Sequence, residues 1–152
     1  MATRNNPKLV ARTTPAASGA LYIDRQVTNL ADPLQVPAHA NGDRLQIGVV
    51  PAGTKLVPHL CRLAVPKLDT NGSGTGKVKI GTADTADALV AEAAATSAIN
   101  DLQTSFKAAE IGSATADTPI YLTLSAALAT QVTSGSIVFD LALRAWDSKV
   151  DG

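Results

Sequence analysis

The sequence has few of the residues on which disulfide scaffolds and most enzymes depend. It holds one cysteine, Cys61, in 152 residues, so no internal disulfide can form. Its two histidines leave few candidates for a catalytic base, and only five residues are aromatic. A core must therefore be built mainly from Val, Leu, Ile and Ala. At 45% apolar content, a chain of this length can bury such a core as one domain.

An excess of charge of one sign is also missing. Thirteen Lys or Arg balance thirteen Asp or Glu, which argues against nucleic-acid binding, because that requires clustered basic residues. The two halves nevertheless differ: residues 1–68 carry eight basic residues against three acidic ones, and residues 69–152 carry five against ten. Two interpretations of this asymmetry stay open. Neighbouring copies could present complementary surfaces, or folding could bring the opposite charges together within one chain.

Long apolar runs are absent as well. No stretch approaches the roughly 20 apolar residues that span a bilayer, and the N-terminal segment has no apolar run of the secretory type. We therefore expect synthesis and folding in a cytoplasm. Residues 1–19 are polar, are broken by two prolines and a glycine, and carry Arg4, Lys8 and Arg12. This composition predicts an extended N-terminal arm.

Alternation of apolar and polar residues predicts an antiparallel β-sheet protein. The predicted strands cover residues 20–27, 45–50, 54–65, 77–80, 118–125 and 136–146. We expect Pro58 to mark an edge position or a bulge, and residues 54–80 to form a hairpin with a long tip. Long loops and the lack of alternating helices favour a mainly β fold: one antiparallel β-sandwich or jelly-roll-like domain over residues 20–152.

One segment, KIGTADTADALVAEAAA (residues 79–95), departs from this alternation. Asp84 can cap a helix, and Asp87 falls in its first turn, where negative charge suits the helix dipole. Apolar residues then recur at helical spacing: Ala86, Leu89, Val90, Ala93 and Ala94. The pattern predicts one short helix over roughly 84–96, lying against the sheet.

A glycine-rich run, NGSGTGKV (residues 71–78), partly matches two ligand-binding loops. It fails as a phosphate loop at two motif positions, and it leads into a strand where that loop needs a helix. Asp69, Asn71 and Ser73 match the first positions of a calcium loop, but Ile80 stands where a bidentate Glu is needed. We interpret the run as a flexible hairpin tip.

The remaining reactive side chains do not form a recognisable site. His59 and Cys61 would share one face of a strand, but zinc needs three or four ligands and the only other histidine is His39. Asp84 and Asp87 could pair as carboxylates, although capping explains them equally well. We therefore predict no catalytic residue, no cofactor and no metal ligand.

Four segments in a fixed order carry a resemblance to a known group of proteins. They are VVPAGTKLV (49–57), VKIGTADTADALVAEAA (78–94), DTPIYLTLS (117–125) and GSIVFDLALRAW (135–146). Over about residues 45–146 the chain resembles small virion structural proteins of tailed bacteriophages, of the kind encoded near the major capsid protein. The resemblance implies a non-enzymatic capsid decoration (cement) protein that binds the major capsid protein as a dimer or trimer.

The resemblance also implies a place on the capsid surface of the virion, with assembly in the host cytoplasm and no nucleic-acid or membrane partner. We hypothesise that Arg4, Lys8 and Arg12 contact the capsid or a sister subunit. Three alternatives stay open: a tail or head–tail component, a carbohydrate-binding β-sandwich module, and an enzyme. A carbohydrate-binding module usually offers aromatic platforms, for which Tyr121 and Trp146 are the exposed candidates.

Overall fold

The computed structural model describes residues 3–4, 21–32, 40–100, 107 and 109–152. In this part of the chain the regular elements are eleven strands and one 3₁₀ turn. They are β1 (Thr3–Arg4), β2 (Leu21–Asn29), β3 (Arg44–Val50), β4 (Thr54–Leu56), the turn Pro58–Leu60, β5 (Arg62–Val65), β6 (Lys77–Gly81), β7 (Val90–Ala94), β8 (Ile99–Asn100), β9 (Ile111–Ser113), β10 (Thr118–Ala126) and β11 (Ser136–Ala145).

The first sheet has the strand order β1-β3-β10-β6-β7. β1 runs parallel to β3, and the other neighbours are antiparallel. β10 is central because β3 pairs with one of its edges and β6 with the other. Ile120, Leu122 and Leu124 alternate along β10 and are fully buried, as the period of a strand with one core face requires.

The second sheet is built around β11. All nine residues of β2 pair antiparallel with residues 136–144 of β11. On its other edge β11 pairs with β5 at residues 138–140 and with β4 at residues 143–145. β8 and β9 extend the sheet beyond β5 and β4. Among the described strands β2 pairs with β11 alone, so one margin of this sheet is a nine-residue edge strand.

The hydrophobic core lies between the two sheets. Phe139 of β11 is fully buried and packs against Gly48 of β3, where even a Cβ atom would lie 2.9 Å from the ring. Gln26 of β2 also joins the sheets: its Oε1 accepts a hydrogen bond from the Val49 amide (2.8 Å), and its Nε2 donates to the Val49 carbonyl (3.2 Å). These contacts confirm the predicted β-sandwich.

The strand predicted over 54–65 is interrupted in the middle. Pro58 opens the 3₁₀ turn, which separates β4 from β5 and leaves both paired with β11. Proline has no N–H for the ladder and its φ angle suits the start of a helical turn, so the break falls where the sequence placed an irregularity.

The hairpin predicted over 54–80 is wrong. β5 belongs to the second sheet and β6 to the first, so the glycine-rich connection crosses between sheets. The crossing is fixed by burial of Leu68, whose amide donates to the Ala95 carbonyl (3.0 Å) while its carbonyl accepts from the Val132 amide (2.9 Å). Alternation locates strands but does not determine which strands pair.

The helix predicted over 84–96 is also wrong. Residues 82–89 form a compact turn, closed by two N–H groups that donate to the Thr85 carbonyl, and the chain then returns as β7 beside β6. Small alanine side chains fit an edge strand as well as a helix face. The ladder with β6 extends an existing sheet, whereas a short helix must first be nucleated at a cost in free energy.

Candidate functional site

The N-terminal strand places one of the three candidate contact residues. Arg4 lies in β1, opposite Leu45 of β3. The preceding residue, Thr3, accepts a hydrogen bond through its hydroxyl oxygen from Arg44 Nε (2.9 Å). The start of the arm is thus anchored on the edge of the first sheet. The other two candidates, Lys8 and Arg12, lie outside the described residues, as does most of the predicted arm.

The glycine-rich run is fastened to the protein by Asp69. This side chain is buried, and its carboxylate accepts hydrogen bonds from the amides of Ala129 (2.8 Å), Thr130 (3.1 Å) and Asn71 (3.1 Å). The Ala129 amide contributes most to lowering the pKa of Asp69. The carboxylate that a calcium loop would use as a ligand therefore accepts three main-chain hydrogen bonds. Its role here is to join the glycine-rich run to the loop of Ala129 and Thr130.

His59 and Cys61 do not share a surface. His59 is exposed in the 3₁₀ turn, and Cys61 is fully buried. The Cys61 thiol donates to the Val57 carbonyl (3.3 Å) and accepts from the Ala142 amide (3.4 Å). Burial raises the pKa of Cys61 to about 11, so the thiol stays protonated at neutral pH. A buried thiol of this kind is a packing element.

The carboxylate pair considered at residues 84 and 87 has a simpler explanation. Asp87 accepts a hydrogen bond from the Lys107 ammonium (2.7 Å), and this contact lowers the pKa of Asp87. Within the described residues, no group of three or more His, Cys, Asp or Glu side chains is placed to hold a metal ion. Among the described residues, no helix reaches the length and apolar character that a membrane crossing needs.

Both candidate aromatic platforms are engaged by cations. The Arg44 guanidinium lies over the Tyr121 ring at 4.4 Å, and that ring is buried. The Lys55 ammonium lies over the Trp146 ring at 4.9 Å. A ring face that holds a cation of its own chain is not available to stack on a sugar. This arrangement disfavours the carbohydrate-binding alternative.

An apolar surface that the sequence did not reveal lies on the outside of the second sheet. Leu21, Ile23 and Val27 of β2 are 50%, 55% and 44% exposed. The cause is the register with β11: Phe139, Leu141 and Leu143 point into the core, and their partners on β2 are Gln26, Asp24 and Tyr22. In an antiparallel pair opposed residues share a face, so the apolar set of β2 faces outward.

We call this surface the β2 face. It comprises the residues of β2, β11 and β5 that lie on the outer side of the sheet and are at least partly exposed: Leu21, Ile23, Arg25, Val27, Val138, Asp140, Arg62 and Ala64. Alternation divides β2 into two faces without saying which one is inside. The apolar character of the larger residues would then assign those residues to the core. In the structure the polar set, Gln26 and Thr28, is the buried one, and the alternation of the sequence does not show this.

The β2 face contains an ion pair within the chain. Arg25 donates to both carboxylate oxygens of Asp140 (2.6 and 2.8 Å), and this pair lowers the pKa of Asp140. At the border of the face, Arg144 donates to Glu110 and Asp151, which raises the pKa of Arg144. This second cluster holds the C-terminal turn against β11.

No protein-family model matches the chain, and no curated protein sequence does. Two solved structures do match. A chain in the capsid of Ralstonia phage GP4 superposes with a TM-score of 0.68 at 18% identity, over 97% of this chain and 100% of that chain. A chain in the capsid asymmetric unit of cyanophage Pam1 superposes with a TM-score of 0.56 at 15% identity, over 93% and 97%. The chain therefore shares its fold, over almost its whole length, with chains of two phage capsids.

Proposed function

We propose that this chain is a non-enzymatic structural protein of a phage virion, which decorates and stabilises the capsid by binding the major capsid protein. The observation that carries the proposal is the full-length match to a chain of the GP4 capsid, in which neither chain has a large extra region. At 18% identity the match concerns the fold, so the function rests on this fold together with the resemblance of the four sequence segments.

The described side chains support a binding role over a catalytic one. Burial favours the protonated form of the Cys61 thiol, and the Asp69 carboxylate accepts hydrogen bonds from main-chain amides. Two sheet surfaces and an anchored N-terminal strand are the features that remain for interaction. Such features suit a decoration protein, because it must bind a repeated lattice many times without chemistry.

The first experiment is the copy number of this protein in purified virions, measured by quantitative peptide mass spectrometry against the major capsid protein. A ratio near that of the capsid protein supports a lattice-wide decoration role. A copy number that matches the subunits of one or a few rings would instead indicate a neck or tail component of the virion. Absence from virions would overturn the proposal and reopen the binding-module and enzyme interpretations.

The second experiment tests the arm. We propose that residues 1–19 contact the capsid lattice or a sister subunit through Arg4, Lys8 and Arg12. Reversing two of these charges in the variant Lys8→Glu/Arg12→Glu should weaken binding to capsid shells that lack this protein about tenfold, since exposed ion pairs contribute up to roughly 1 kcal/mol each. Co-sedimentation of purified protein with the shells gives the affinity.

The matched control is Lys67→Glu/Lys149→Glu, which reverses two exposed charges of the folded domain. Deletion of residues 1–19 should have a larger effect on binding and leave the sandwich folded, because β1 contributes only two residues to the first sheet. Equal binding by the arm variant, the control and the wild type would show that the arm does not contact the lattice.

A further inference from the structure

We propose that Asn71 is a site of spontaneous deamidation, which converts its side-chain amide to a carboxylate without an enzyme, and that the fold protects Asn41 from the same reaction. The chain holds two Asn-Gly pairs, at residues 41–42 and 71–72. The second pair lies in the glycine-rich run, which the proposed function does not use. A glycine after asparagine favours the reaction, because it has no Cβ atom to hinder the approach of its own nitrogen to the asparagine side chain. The reaction is independent of capsid binding.

Deamidation at this pair needs only the chain and water. The main-chain nitrogen of Gly72 attacks Cγ of Asn71, so an N–Cγ bond forms and the attacking nitrogen loses its proton. The Cγ–Nδ2 bond then breaks, and the side-chain nitrogen takes up a proton and leaves as ammonia. Water opens the resulting five-membered imide at either carbonyl and leaves aspartate or isoaspartate at position 71. No oxidant or reductant takes part, and the product carries one more negative charge.

The surroundings of Asn71 leave the reacting atoms accessible. Asn71, Gly72 and Ser73 are exposed, and a Cβ atom built on Gly72 would meet nothing within 4 Å. Among the hydrogen bonds of the described residues, none uses the Gly72 amide as its donor. The attacking nitrogen therefore moves towards Cγ without breaking a contact of the fold.

A hydrogen bond also activates the carbonyl group under attack. The Ser73 amide donates to Oδ1 of Asn71 (3.0 Å), which turns the side chain back along the main chain. This oxygen gains negative charge as the nitrogen adds to Cγ. A donor that is already in place stabilises that charge, as the amides of an oxyanion hole do. The turn thus favours the reaction at Asn71 beyond the mere presence of glycine.

Asn41 lies in the opposite environment. The Gly42 amide donates to the Leu124 carbonyl of β10 (2.7 Å), so the nitrogen that would attack is held by the first sheet. The Leu124 amide in turn donates to the carbonyl of Asp43 (2.8 Å), which closes the turn on its other side. Attack on Asn41 therefore requires local opening of this turn, whereas attack on Asn71 does not.

The modified protein should stay folded, because the glycine-rich run is fastened on both sides of position 71. Before it, the Asp69 carboxylate accepts hydrogen bonds from two main-chain amides of a neighbouring loop. After it, the Gly76 carbonyl accepts from the Ala95 amide (2.8 Å). Each event therefore adds one negative charge to a folded chain whose formal net charge is zero.

The test is peptide mapping by tandem mass spectrometry during incubation of the purified protein at 37 °C and pH 8. In the folded protein Asn71 should deamidate roughly tenfold faster than Asn41 or more, since opening the turn at Asn41 costs free energy. In concentrated urea, where that turn is lost, the two sites should react at similar rates. A difference that persists in urea would show that the fold does not protect Asn41.

The matched variant is Gly72→Ala, whose added methyl group points into open space but hinders the attacking nitrogen. It should slow the reaction at Asn71 by roughly tenfold and leave the rate at Asn41 unchanged, with the same circular dichroism spectrum as the wild type. Equal rates at Asn71 and Asn41 in the folded wild type would overturn the proposal. So would a rate at Asn71 that Gly72→Ala does not change. Neither result bears on the copy number in virions, so the proposed function is tested separately.

Discussion

At the scale of single residues, buried polar side chains decide how the two sheets are placed. Gln26 is the clearest case, because one side-chain amide satisfies both main-chain groups of Val49, which lies in the opposite sheet. Its Nε2 also donates to Asp24 within β2 (3.0 Å). Buried polar groups must be paired, so this contact fixes the distance between the sheets as well as the register of β2.

We predict that Gln26→Leu lowers the free energy of unfolding by roughly 2 kcal/mol, since it leaves a buried N–H and a buried carbonyl without partners. Urea unfolding followed by circular dichroism measures the change. The control is Gln46→Leu on β3, whose amide has only a long contact to the Gly48 carbonyl (3.5 Å) and should change stability by no more than about 0.5 kcal/mol. Equal stability of both variants would contradict this role.

At the scale of elements, the segment after β6 shows how a tight turn replaces a helix. Gly81 ends β6, and a Cβ atom there would meet the carbonyl of Thr85 and lie 2.5 Å from the amide of Ala88. This close approach lets the chain reverse within eight residues and return as β7. The alanines do recur at helical spacing in the sequence, but pairing with β6 makes residues 90–94 a strand.

We predict that Gly81→Ala destabilises the protein by roughly 1–3 kcal/mol, because the added methyl group must displace main chain. Thermal unfolding measures the change as a shift of the midpoint temperature. Gly72→Ala is the matched control, since a Cβ at Gly72 meets nothing within 4 Å, and we expect its midpoint to stay near that of the wild type. A tolerated Gly81→Ala would mean that the turn opens at little cost.

At the scale of the whole molecule, hydrogen bonds and ion pairs hold carboxylates in their charged form. The pKa is lowered, mainly by a hydrogen-bond donor, at Asp69, Asp87, Glu92, Asp140 and Asp151. Four of these side chains belong to ion pairs with Lys or Arg. Asp69 differs because its donors are main-chain amides in a buried site, which salt does not screen.

We predict that stability falls in acid. The pKa of these carboxyl groups is lower in the folded protein than in the unfolded chain, so the unfolded chain binds more protons as pH falls. Their contribution to the free energy of unfolding is therefore complete above about pH 4.5 and is lost as pH drops through the folded pKa values. Urea midpoints at pH 7, 4, 3 and 2 should therefore decrease. Asp69→Asn should start from a lower midpoint at pH 7 and show a smaller decrease. An unchanged midpoint at pH 2 would contradict the prediction.

The local sequence pattern predicts the mainly β class and the position of most strands, because burial on one face imposes a period of two on strands such as β10 and β11. It also predicted an edge position or a bulge at Pro58, since proline lacks the N–H that a ladder needs; the structure has a 3₁₀ turn there. These properties are local: each follows from a residue and its near neighbours along the chain.

Which strands pair, and which face of β2 lies inside, depends on contacts between residues far apart in the chain. The glycine-rich connection joins two sheets, and residues 90–94 form a strand, because each depends on partners far away in sequence. The β2 face exists for the same reason: Arg25 meets Asp140, and Gln26 meets Val49, across long sequence separations. Alternation leaves two faces equivalent, and long-range hydrogen bonds choose between them.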